Sequence, residues 1–158
     1  MEAASDKQRV VLIVDDHHDL LRFFLESLTI LSDLRVETAE NGIDGLERCI
    51  ELQPDCMVID VKMPGLNGYE LVRVLRGDPI TAGIPLVILT AMAQDKDQFI
   101  GLASGADQYL LKPITADALL AAIEKAILVG DSERRQRMLK LLDESPLAGN
   151  PTITPAPE

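Results

Sequence analysis

Four short apolar runs in this chain each end in residues that can do chemistry. Asp15-Asp16 follows Val10–Val14, Asp60 follows Cys56–Ile59, Thr90 follows Leu86–Leu89, and Lys112 follows Gln108–Leu111. Taken singly, each has an ordinary explanation: an acidic pair makes a turn or a helix cap, a threonine fills a strand, and a lysine faces water. Together they specify a chemistry. A carboxylate at the end of an apolar run is costly unless it is paired or binds a cation, and three nearby carboxylates raise one another's pKa unless a cation intervenes. A hard divalent ion with oxygen ligands removes that cost; Mg²⁺ is the usual choice beside phosphate, and Mn²⁺ can replace it. With the ion bound, Asp60 can stay ionised and attack an electrophilic phosphorus. The Lys112 ammonium and the Thr90 hydroxyl are suited to the incoming phosphoryl oxygens. Ala91 beside Thr90 is small enough to leave room for the group.

These residues converge only if the elements before them form one sheet. The apolar runs and the more polar Leu34–Ala39 all have strand length. Between them lie helical patterns: Leu20, Leu21, Phe24, Leu25, Leu28 and Leu31; then Gly42–Leu52 with Ile43, Leu46, Cys49 and Ile50; then Tyr69–Leu75, closed by Gly77-Asp78-Pro79. Further helices are expected over Asp95–Ala103 and from the N-cap Thr115 to about Val129. Aliphatic strands alternating with amphipathic helices imply a doubly wound α/β domain, its parallel sheet covered on both faces. In such sheets ligands bind beyond the carboxyl ends of the strands, where the polar residues stand.

Composition narrows the function classes. The 158 residues are 47% apolar and 26% charged, which fits one domain with a tail. Aromatics are 3% and Trp is absent, so the core is aliphatic. A formal net charge of −11 argues against a nucleic-acid surface. No run is long and apolar enough to span a bilayer, and Met1–Arg9 does not read as a signal peptide. Cys49 and Cys56 lack redox or metal spacing and read as reduced, partly buried hydrophobes of a cytoplasmic protein.

With those residues in place, the chain resembles the receiver domain of two-component response regulators over roughly Arg9–Val129. The resemblance rests on Asp15-Asp16, on Asp60 within D-V-K-M-P-G-L-N-G-Y-E-L, on Thr90-Ala91, and on G-A-D-Q-Y-L-L-K-P ending at Pro113. It implies a flavodoxin-like, five-stranded parallel sheet of order 2-1-3-4-5. It implies that Asp60 accepts a phosphoryl group from a sensor histidine kinase, a phosphotransfer protein or a small phosphodonor. Asp15, Asp16, Asp60 and the main-chain carbonyl of Lys62 would hold Mg²⁺. Lys112 would pair with the acyl phosphate, and Pro113 would follow a cis bond. Thr90 and Tyr109 would form the switch pair, rearranging a surface on the fourth helix (95–103), fifth strand and fifth helix for a downstream effector. The chain would be a signalling switch catalysing its own phosphoryl transfer, not a metabolic enzyme.

Competing classes fare worse. A phosphatase of the haloacid dehalogenase type needs a second Asp two residues after the nucleophile, where this chain has Lys62. A flavodoxin-like cofactor binder needs a phosphate loop after the first strand, and Asp15-Asp16-His17-His18 would repel phosphate. A phosphorylation-independent scaffold or dimerisation module would not need the full acidic, Thr and Lys set. His17 and His18 read as solvated helix-start residues that point apart, with His17 able to modulate the pH dependence of phosphorylation. Leu111 and Ile114 depart from the common family pattern in ways that concern packing. Lys62 and Met92, each two residues past a site residue, predict slow hydrolysis of the phosphoryl group.

The domain organisation follows: 1–8 a flexible N-terminus, 9–130 the receiver, 131–144 a C-terminal helix, and 145–158 a disordered Pro-rich tail. The helix over Glu133–Glu144 lines up Met138, Leu139, Leu141 and Leu142 and could dock on the domain, form a homodimer, or continue toward an effector. Residues 131–158 do not accommodate a helix-turn-helix, so no direct nucleic-acid or membrane binding is expected of this chain.

Overall fold

The computed structural model describes residues 7–91 and 105–129, together with Gln136, Leu139, Lys140, Leu142 and Asp143. Five strands, β1 (Val10–Val14), β2 (Arg35–Ala39), β3 (Cys56–Asp60), β4 (Leu86–Thr90) and β5 (Gln108–Leu111), form one sheet in the order β2-β1-β3-β4-β5. Every pairing is parallel. The helices are α1 (His18–Leu31), α2 (Gly42–Leu52), α3 (Gly68–Gly77) and α4 (Ala116–Leu128). The expected architecture and strand order are both found. The expected helix over 95–103, Met92 and the tail 145–158 lie outside the described residues.

Side chains alternate along each strand, so successive aliphatic residues enter opposite layers. Leu12, Val14, Met57, Ile59, Leu86 and Ile88 join Cys49 of α2 and Leu71, Val72 and Leu75 of α3. Val11, Ile13, Cys56, Val58, Val87 and Leu89 meet Leu21, Phe24 and Leu28 of α1 and Leu119, Ile123 and Ala126 of α4. Burial on both faces is why these strands carry no polar alternation. Both cysteines are free and fully buried.

Local signals set the helix starts. The Asn41 side chain accepts from Asp44 N at 2.8 Å and the Thr115 hydroxyl from Ala118 N at 3.2 Å. Asn67 and Glu70 make a reciprocal capping box at the start of α3. Helix α3 runs through Gly77, and Asp78 ends it rather than the glycine. In the C-terminal segment the described residues are helical, with Leu139 and Leu142 57% and 59% exposed.

Candidate functional site: an acidic pocket at the carboxyl edge of the sheet

The strand ends place the site residues by register. Asp60 is the last residue of β3, level with Leu89, and Thr90 is the last of β4, level with Leu111. Asp15 N donates to Ala39 O at 3.1 Å, extending the β1–β2 pairing by one residue, and Lys112 N donates to Thr90 O at 2.7 Å. Both strands thus run one residue further than their aliphatic segments. Asp60 does not escape into water: it is 4% exposed, and Asp15 is 2% exposed.

Gly68 holds the loop after Asp60 in place. Its amide donates to Val61 O at 3.0 Å, and a Cβ there would meet the carbonyl oxygen of Asp60 and stand 2.8 Å from Val61 Cα. Only a residue without a side chain lets α3 begin this close to the strand end.

One cation serves two of the carboxylates. Lys112 Nζ is 2.9 Å from Asp15 Oδ2 and 3.2 Å from Asp60 Oδ1. Burial pushes the Asp60 carboxyl above its usual range; the Asp15 charge adds to the rise and Lys112 partly offsets it. Burial alone would lower the Lys112 pKa, but its hydrogen bond to Asp15 and the charges of Asp15 and Asp60 leave it raised. Asp16 differs: its Oδ1 is buried and accepts no hydrogen bond.

The histidines do point apart. His18 Nδ1 is 2.9 Å from Glu40 Oε1. His17 is solvated, its side chain 67% exposed, yet Nδ1 lies 3.0 Å from Asp15 Oδ1 and 3.1 Å from Asp16 Oδ1. The hydrogen bond to Asp15, with the charges of Asp15 and Asp16, raises the His17 pKa. A helix-start position alone could not reveal that contact, because it depends on the ring's rotamer.

Beside Asp60 and Lys112 a cavity of about 550 Å³ opens, walled by Leu20, Phe23, Lys62 and Ala91. Tyr109 is half-buried, packed against the cluster beneath α2 and α3, and Ile114 packs on the opposite one. The Lys112–Pro113 bond is cis.

The family model of the response regulator receiver domain matches residues 11–124. The chain belongs to that family. It is 40% identical over 124 residues to the transcriptional regulatory protein AfsQ1 of Streptomyces coelicolor, covering 78% of this chain and 53% of that one. It is 34% identical over 151 residues to the DNA-binding dual master transcriptional regulator RpaA of Synechocystis, covering 94% and 59%. The chain therefore spans only a little over half the length of these relatives. The chemotaxis response regulator CheY4 of Vibrio cholerae superposes with a TM-score of 0.71 at 28% identity, over 76% of this chain and 99% of that one. The receiver belongs to two-component phosphorelay signalling rather than to metabolism. Receivers of this family typically use Mg²⁺ at the acidic site, and the pocket here has the oxygen donors for it. No described helix is long and apolar enough to cross a membrane.

Proposed function

We propose that Asp60 accepts a phosphoryl group from a sensor histidine kinase or phosphotransfer protein and that the acyl phosphate switches a protein-interaction surface. The observation that carries this reading is the shared cation: Lys112 contacts both Asp15 and Asp60 while Asp16 Oδ1 stays buried without a hydrogen bond. Such a pocket has an unmet need for positive charge and a nucleophile in reach of its cavity.

In the transfer, an Asp60 carboxylate oxygen forms a bond to phosphorus as the donor's P–N or P–O bond breaks. The bonding pair leaves with the imidazole or carboxylate of the donor. Lys112 moves from its contact with Asp60 to the phosphoryl oxygens, and the Thr90 hydroxyl donates to another. Asp15, Asp16, Asp60 and the Lys62 carbonyl would hold Mg²⁺, which when bound neutralises the carboxylates and the phosphoryl oxygens. Tyr109 would turn inward as Thr90 moves, altering the surface formed by β5 and α4. A downstream effector reads that surface; the relatives' names make transcriptional control a reasonable output.

Intact mass after incubation with acetyl phosphate tests the reading. A single phosphoryl adduct that needs Mg²⁺ and is absent from Asp60→Asn supports it. An adduct of equal yield in Asp60→Asn overturns the assignment of Asp60.

A further inference from the structure

We infer that His17 is itself a ligand of the metal at the acidic pocket, and that its ring nitrogen tilts the site from Mg²⁺ toward divalent ions such as Mn²⁺ and Co²⁺. The inference deepens the metal-site reading above and rests on it.

Three observations lead to His17. Asp15, Asp16, His17 and Asp60 each offer one ligand atom within 4.8 Å of all the others. Nδ1 stands 3.0 Å from Asp15 Oδ1 and 3.1 Å from Asp16 Oδ1. Two ligands at right angles, each about 2.1 Å from an octahedral ion, are about 3 Å apart. The ring nitrogen therefore already forms an edge of a coordination polyhedron with either carboxylate. Its approach to Asp16 Oδ1 is not a hydrogen bond, since that oxygen has none.

The helix supplies the third observation. His17 is the N-cap of α1 but caps nothing, whereas Asn41, Asn67 and Thr115 all accept cap bonds at their helices. A side chain that accepted such a bond would stabilise α1 by about 1 kcal/mol. His17 forgoes this, donating its backbone amide to Asp15 Oδ1 at 2.9 Å and turning its ring onto the same carboxylates.

The ion preference follows from the donor set. Mg²⁺ favours an all-oxygen shell. Imidazole nitrogen suits first-row transition ions, whose affinities rise along the series from Mn²⁺ to Co²⁺ and beyond. A counter-ion role is the competing explanation, since an imidazolium hydrogen-bonded to the carboxylates would make similar contacts. That ring would leave as the ion entered.

Pulsed EPR of Mn²⁺ bound to the full chain separates the two, alongside calorimetric titrations with Mg²⁺, Mn²⁺ and Co²⁺. Nitrogen hyperfine coupling is expected in the native protein and in His18→Ala, and its loss in His17→Ala. His17→Ala should weaken Mn²⁺ and Co²⁺ about tenfold, as losses around a metal typically do, and weaken Mg²⁺ less. Mn²⁺ that binds, is lost in Asp60→Asn and shows no nitrogen coupling would overturn the role of His17 and leave the acidic site intact. Mn²⁺ that fails to bind, or binds equally well to Asp60→Asn, would overturn both.

Discussion

The Arg76 guanidinium and the Asp107 carboxylate meet at 3.0 Å, with side chains only 4% and 0% exposed. Arg76 also donates to the carbonyls of Gly105, Ala82 and Ile84, and Asp107 accepts from Leu86 N at 2.8 Å. The pair fastens the end of α3 to the starts of β4 and β5, the strands that carry Thr90 and Lys112. Removing one partner leaves a buried charge uncompensated. Arg76→Ala should therefore lower the unfolding free energy by about 3–5 kcal/mol in urea titrations. Replacing both, as Arg76→Met with Asp107→Leu, should recover a substantial part; a double variant as unstable as the single one would contradict this account.

A second expectation concerns charge in the pocket. The folded Asp60 pKa is raised, so its contribution to stability is present at low pH and lost as pH rises through the folded value. At neutral pH without metal, Asp60→Asn should melt higher than the native chain, by about 2–4 °C for each kcal/mol relieved. The gap should close as pH falls into the carboxylate range. Added Mg²⁺ should raise the native melting temperature and leave that of Asp60→Asn nearly unchanged.

Burial raises the Cys49 thiol from its ordinary 9.0 to about 11. Only thiolate alkylates readily, so Cys49 should resist iodoacetamide at neutral pH and react on unfolding. The sign in alkali is fixed too. The neutral thiol's contribution to stability is complete below pH 9.0 and is lost as pH rises through about 11. Peptide mapping that finds Cys49 alkylated in the native state would show that α2 opens locally.

Phosphoryl chemistry gives a fourth. Lys112→Ala should slow formation of the Asp60 adduct about 10²-fold, the usual scale for losing one preorganised donor. Lys62 is exposed at the mouth of the cavity, and the adduct, once formed, should outlast seconds when followed by mass after donor removal. Decay within seconds would contradict the reading of Lys62 and Met92.

Most of this architecture was legible in the sequence because a sheet buried on both faces leaves aliphatic strands interrupted by polar ends. The same contrast located Asp15, Asp60, Thr90 and Lys112. Boundaries drifted where a polar residue continues a strand, as Asp60 and Thr90 do. The pairing of Arg76 with Asp107 carried no local signal, since a pair 31 positions apart exists only once the end of α3 meets the residue before β5. Nothing local marks the need for Gly68; its reason, the nearness of the Asp60 carbonyl, is tertiary. For His17, position and exposure were legible, but not the rotamer that brings Nδ1 to the carboxylates.

The register of the five strands also has an engineering side. Because the pocket is assembled from strand ends, its geometry is dimensioned by the ladder and not by the connections at the opposite rim, 32–34 and 53–55. Lengthening a surface loop there costs entropy that grows only slowly with length. The connection at 32–34, where Asp33 is exposed, is therefore the place to splice in a reporter or a foreign module while the pocket keeps its dimensions; at 53–55 Pro54 is buried and the Asp55 amide donates to Val10 O.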